Sequence, residues 1–174
     1  WFRRVTDKLW SPNVTPFALK GWTDQQLYTA ITTGVRPDGR VLHEVMPYQL
    51  YGRMDADEIY SVIAYLRSLA PIESGPYPFA ETLTFTAFES TPGALPRPPA
   101  DAPAEIRGKY LVTIAGCNNC HVGGETLPVA DTPFAGGREF PIPGVGLIRA
   151  ANLTPDVATG VGAWSEAAFL ARLV

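Results

Sequence analysis

Cysteine, histidine and methionine are scarce in this 174-residue chain, with two of each. A zinc centre needs about four ligands. Outside one cluster the sequence offers only His43 as a further Cys or His, so a zinc site is not expected. Basic runs are also missing: 14 Lys+Arg stand against 17 Asp+Glu for a net charge of −3. The electrostatic footprint of a nucleic-acid binder is therefore lacking, and no nucleic-acid partner is expected. No run approaches 18 apolar residues and no signal-peptide pattern opens the chain, so this portion reads as soluble. Membrane association would have to come through segments outside it. Seventeen prolines and 16 glycines leave little room for long helices or sheets and call for many ordered loops. Hydrophobic residues nevertheless make up 46 %, enough for a buried core in one ordinary domain or two small ones.

Both cysteines and one histidine fall together in Cys117-Asn118-Asn119-Cys120-His121. Cys-x-x-Cys-His is a spacing that attaches haem of the c type, because one helical turn presents two thiols to the two vinyl groups while the adjacent imidazole turns to the iron. A thioredoxin-like dithiol, half of a zinc site and a short structural disulfide are the competing readings. A dithiol site of that kind asks for a βαβ context, and no such pattern surrounds the motif.

An internal repeat organises the rest. Asn13-Val14-Thr15-Pro16 followed by Gly21-Trp22-Thr23-Asp24 recurs as Asn152-Leu153-Thr154-Pro155 followed by Gly162-Ala163-Trp164-Ser165-Glu166. The Asn residues are 139 positions apart and the Trp residues 142, a difference that a short loop insertion absorbs. In the second copy the repeat follows the Cys-x-x-Cys-His motif. In the first it precedes Arg36-Pro37-Asp38-Gly39-Arg40 and Met46-Pro47-Tyr48.

Local signals predict three main helices. Asp55 opens an acidic cap, and Ile59, Val62, Ile63, Leu66 and Leu69 then follow at helical spacing up to Pro71. Thr23 to Gln26 reads as a capping box for a helix to about Thr33, ended by Gly34. Ile106, Tyr110, Leu111 and Ile114 mark a helix over Ala104 to Ala115 that runs into Cys117, and Ser165 is expected to start a further one. No alternating pattern is long enough for a sheet core. Thr82 to Phe88 alternates but lies in a Pro-rich stretch, where it reads as an extended segment.

Together, Gly108 to Val112 leading into Cys117 to His121, the Asn152 to Asp156 stretch with Thr159-Gly160, and Arg36 to Arg40 ahead of Met46-Pro47-Tyr48 resemble dihaem c-type cytochromes with two tandem class I cytochrome c domains. Such proteins are often electron-transfer subunits of periplasmic dehydrogenases. The resemblance implies an all-α fold of two tandem modules, each incomplete here: residues 1–70 as the back of the first, 71–103 as a Pro-rich linker and 104–174 as the front of the second. It implies haem c on Cys117 and Cys120 with His121 as proximal iron ligand, and a second haem for which Met46 is the distal ligand. The attachment motif of that second haem would precede Trp1, and the second module's own Met loop would follow Val174. Electron transfer in the periplasm, without substrate conversion, is the expected activity. Its partners would be a dehydrogenase subunit and a terminal oxidase or another cytochrome. Two alternatives are a rearranged single-haem protein in which Met46 and His121 share one iron, and a dihaem peroxidase-like enzyme. Trp22, Trp164 and Tyr48 are candidates for haem edges, and Arg36 and Arg40 for propionates, with core packing and solvent exposure as their ordinary alternatives. His43 is read as a loop residue and Met54 as packing.

Overall fold

The computed structural model describes residues 11–43, 45–75, 93–122 and 134–172. The chain divides into two compact units, Trp1–Ala102 and Pro103–Val174.

In the first unit, Asn13 Oδ1 accepts from Thr15 N at 2.8 Å, and Pro16, with its pre-set φ, opens α1 (Pro16–Leu19). The expected capping box is present. Thr23 Oγ1 accepts from Gln26 N at 3.1 Å, Gln26 Oε1 accepts from Thr23 N at 2.8 Å, and α2 runs Asp24–Thr33. Gly34 ends it at φ 75, a left-handed conformation that also lets the Tyr48 ring lie against the glycine. A short turn, α3 (Tyr48–Tyr51), precedes α4 (Ala56–Ser68), whose cap Asp55 accepts from Asp57 N at 3.0 Å. Ile59 and Ile63 of α4, each 1 % exposed, meet Leu19 and Leu27 in the core, with Trp22, Tyr28, Ile31, Tyr51 and Met54 packed around them. Val62 of the same predicted stripe is instead exposed. The helix ends at Ser68 with Leu69 already extended, and Pro71 two residues on, which restricts Ala70 ahead of it, keeps the helix from resuming.

Beyond α4 the chain returns along the first element, where Asn13 Nδ2 donates to the Ile72 carbonyl at 2.8 Å and to Ser74 Oγ at 3.0 Å. Within the predicted linker, Leu95 N donates to the Arg53 carbonyl at 2.9 Å and Arg97 N to Asp55 Oδ2 at 3.0 Å. These bonds tie residues 95 to 97 to the first unit. Thr82 to Phe88 lies outside the described residues.

In the second unit, α5 (Ala104–Ile114) buries Tyr110, while Ile106 and Leu111 of the predicted face are exposed. Gly116, left-handed at φ 69, turns the chain into α6 (Cys117–Cys120). A two-stranded antiparallel hairpin follows, β1 (Glu139–Ile142) and β2 (Gly146–Arg149), with Phe140 opposite Ile148 and Glu139 opposite Arg149. Among the described residues the fold is thus helical, as expected, with one small hairpin added whose exposed strands form no sheet core. Four residues per strand, with Pro141 inside one of them, are too short and too interrupted to show a period of two. A turn closed by Val145 N to the Ile142 carbonyl at 3.0 Å and a cross-strand ion pair, Arg149 Nη2 to Glu139 Oε1 at 2.6 Å, hold the hairpin. The unit ends in α7 (Glu166–Leu170), capped by Ser165 Oγ, which accepts from Ala168 N at 3.2 Å. Among the described residues no helix is long and apolar enough to cross a membrane.

Candidate cofactor site

The thiols of Cys117 and Cys120 sit at the two ends of the single turn α6, the first half-buried and the second exposed, and neither is in a disulfide. His121 ends that turn, its N–H donating to the Cys117 carbonyl at 3.0 Å. Its ring Nδ1 lies 2.7 Å from the Ala151 carbonyl oxygen. A carbonyl can only accept, so Nδ1 carries the proton and Nε2 keeps a lone pair. The backbone around the motif is fastened on the other side as well: Gly136 N donates to the His121 carbonyl at 2.9 Å, and Arg138 Nη1 to the Asn119 carbonyl at 2.6 Å. Arg138 also lies over the Phe140 ring at 5.3 Å. Among the described residues no group of three or more Cys, His, Asp or Glu gathers to hold a metal ion by itself. Two free thiols one turn apart beside an imidazole with its Nε2 available are a donor set that fits haem c.

Asn152 binds the segment carrying Ala151. Its Oδ1 accepts from Thr154 N at 2.9 Å and its Nδ2 donates to Thr159 Oγ1 at 2.9 Å. Asp156 accepts from Thr159 N at 2.7 Å, and this bond is the main cause holding its carboxyl below the usual range. The repeated elements share local bonds. Asn13 and Asn152 both accept from the amide two residues on, and Trp22 N and Trp164 N both donate three residues back, to Leu19 at 3.0 Å and Val161 at 2.9 Å.

Met46 lies in the first unit, half-buried in a bend, its N–H donating to the His43 carbonyl at 2.9 Å and its own carbonyl accepting from Tyr48 N at 2.7 Å. Tyr48 is 2 % exposed and anchors that bend. His43 has the opposite tautomer to His121, because its Nδ1 accepts from Val45 N at 3.0 Å, which puts the proton on Nε2. Arg36 and Arg40 both pair with Asp38, at 3.5 and 2.7 Å, and the hydrogen bond from Arg40 is the main cause lowering the Asp38 carboxyl to about 2. The Arg36 guanidinium lies 5.4 Å from the centroid of the Trp22 ring, and that of Arg172 lies 5.1 Å from that of Trp164. Missed by sequence reasoning were the Ala151 carbonyl, Gly136 and Arg138. A backbone acceptor has no sequence signature, and the glycine's duty depends on the Ala150–Ala151 backbone it lies against.

Soft thiols with a tautomer-locked imidazole define the kind of site found in c-type cytochromes. No family model matches the chain. Curated proteins do resemble it. The fructose dehydrogenase cytochrome subunit of Gluconobacter japonicus is 28 % identical over 176 residues, covering 91 % of this chain and 35 % of that protein. The cytochrome c subunit of the quinone alcohol dehydrogenase of Gluconobacter oxydans (strain 621H) is 29 % identical over 178 residues, covering 91 % and 37 %. A diheme cytochrome c-type of Cereibacter sphaeroides is 29 % identical over 141 residues, covering 72 % and 47 %. The chain therefore spans about a third to a half of the length of these relatives. These similarities support the cytochrome c family for this chain.

Proposed function

We propose that the chain is an electron-carrying part of a c-type cytochrome that serves a dehydrogenase. The observation that carries this reading is the His121 ring, tied through Nδ1 to the Ala151 carbonyl beside two free cysteines. Cys117 and Cys120 hold haem c through thioethers, and His121 Nε2 is its proximal ligand. When bound, the haem supplies a one-electron iron couple. The residues of the chain attach it, orient the ligand ring and keep the His121 nitrogen in the ligating tautomer. No substrate bond is made or broken by them.

The finer reading is of two tandem modules, supported by the repeated Asn-to-amide bonds at Asn13 and Asn152. Met46 is then the distal ligand of a second haem in the first module. A thioether suits ferrous iron and a high potential, and Met46 lies half-buried in the bend before Pro47. The names of the relatives, cytochrome subunits of fructose, alcohol and gluconate dehydrogenases, support a dehydrogenase subunit as electron donor, and a terminal oxidase or another cytochrome is proposed as acceptor. Attachment of haem c also points to the periplasm. Pyridine haemochrome against protein concentration tests the number of haems in the full-length protein, and one haem in place of two would refute the tandem reading. Cys117→Ala or Cys120→Ala should lose one covalent haem after acid–acetone extraction. Full retention in both variants would refute the attachment site.

A further inference from the structure

We propose that Gly136 is a positioning residue for His121, and that it acts through the Ala151 carbonyl. The inference rests on the cofactor reading above. His121 is held at two points, its carbonyl by Gly136 N at 2.9 Å and its ring Nδ1 by the Ala151 oxygen at 2.7 Å. These two partners also touch each other. A Cβ built on Gly136 would meet the Ala151 carbonyl carbon and oxygen at 2.5 Å and the Ala150 oxygen at 2.6 Å, and the residue is left-handed at φ +71. The obstructing atoms are backbone, pinned by Gly137 N to the Ala150 carbonyl and Ala150 N to the Arg138 carbonyl, both at 2.9 Å. They cannot swing aside as the tip of a side chain would. Any side chain at 136 must therefore displace the oxygen that accepts from His121 Nδ1.

Gly137 provides the internal control. It too is left-handed, at φ +91, but a Cβ there has nothing within 4 Å. Alanine at 137 carries the backbone strain without touching Ala151, whereas alanine at 136 carries both. The chemical consequence falls on the ligand ring. A carbonyl accepting from Nδ1–H makes Nε2 a stronger electron donor, which favours ferric iron. Loss of that bond weakens the donor and raises the potential.

The test compares Gly136→Ala with Gly137→Ala in the haem-loaded full-length protein. Gly136→Ala should raise the midpoint potential of the haem on Cys117 and Cys120. It should also speed solvent exchange of the His121 Nδ1 proton, read by NMR of the ferrous form, on the order of tenfold for one lost hydrogen bond. Gly137→Ala, which keeps its own N–H to the Ala150 carbonyl and adds no contact with Ala151, should move both values far less. Equal behaviour of the two variants would overturn the inference. If Gly136→Ala does not accumulate, the parent protein still decides: a slowly exchanging Nδ1 proton supports the clamp, and a freely exchanging one overturns it. Absence of covalent haem from the parent would instead remove the cofactor reading. In that protein the His121 nitrogen shifts still report the contact, with a proton on Nδ1 upholding it and one on Nε2 overturning it.

Discussion

Replacing Arg67 with alanine should destabilise the first unit by about 2–4 kcal/mol, and nearly all of that loss should come from backbone carbonyls, with little from its ion pair. The guanidinium stands near the end of α4 and reaches the junction between α1 and α2. Its Nη1 donates to the Leu19 carbonyl at 2.9 Å and its Nη2 to the Trp22 carbonyl, while Nη2 also lies 3.1 Å from Asp24 Oδ1. The side chain of Asp24 is 61 % exposed against 29 % for Arg67, so that ion pair is screened by water and contributes about 0.2–1 kcal/mol. Hydrogen bonds from a charged donor contribute about 1.5–3 kcal/mol each, and the two carbonyls, part-buried and coupled, add less than twice that. Asp24→Asn should accordingly cost under about 1.5 kcal/mol, including its place in the first turn of α2. Urea unfolding followed by circular dichroism would separate the two. With a slope of about 2 kcal/mol per molar, Arg67→Ala moves the midpoint down by about 1–2 M. Salt at high concentration should erase the Asp24 effect and leave most of the Arg67 effect. If Asp24→Asn costs as much as Arg67→Ala, the carbonyl clamp is not what holds the junction.

On the tandem reading proposed above, Met46→Ala should lower the potential of the haem it ligates and abolish one sulfur-to-iron band at the red edge of the ferric spectrum, leaving the haem on Cys117 and Cys120 unchanged. Met54→Ala, which thins the layer around Ile59 and Ile63, should cost about 2 kcal/mol with no spectral change, and identical spectra for both variants would return Met46 to the core. The Asp38 carboxyl, held down to about 2 chiefly by its hydrogen bond from Arg40, adds stability that is fully present above its ordinary value of 3.8 and is lost as pH falls toward 2. Because Asp38 is 43 % exposed the effect is about 0.2–1 kcal/mol, so parent and Asp38→Asn should differ in urea midpoint at pH 6 and converge near pH 2. A difference that persists at pH 2 would assign the effect to something other than this ionisation.

What the sequence determined by itself is whatever depends on neighbours along the chain. Cys117, Cys120 and His121 carry their spacing within one helical turn. The Thr23–Gln26 box, the Asp55 cap, the Gly34 stop and the Ser165 start are bonds spanning two to four residues, and each appears where the pattern put it. Ile59 and Ile63 were legible because their spacing matches the helical period. Tertiary structure alone decided the rest. The same kind of period marked Val62, Ile106 and Leu111 as inward, yet they are exposed, since periodicity says which residues share a face and not what covers it. His121 and His43 are one residue type in opposite tautomers, because a carbonyl 30 residues away accepts from the first and a local amide donates to the second. Gly136 looks like one of 16 flexible glycines until the Ala151 carbonyl is seen against it, and a contact between backbones distant in sequence leaves no trace in side-chain pattern.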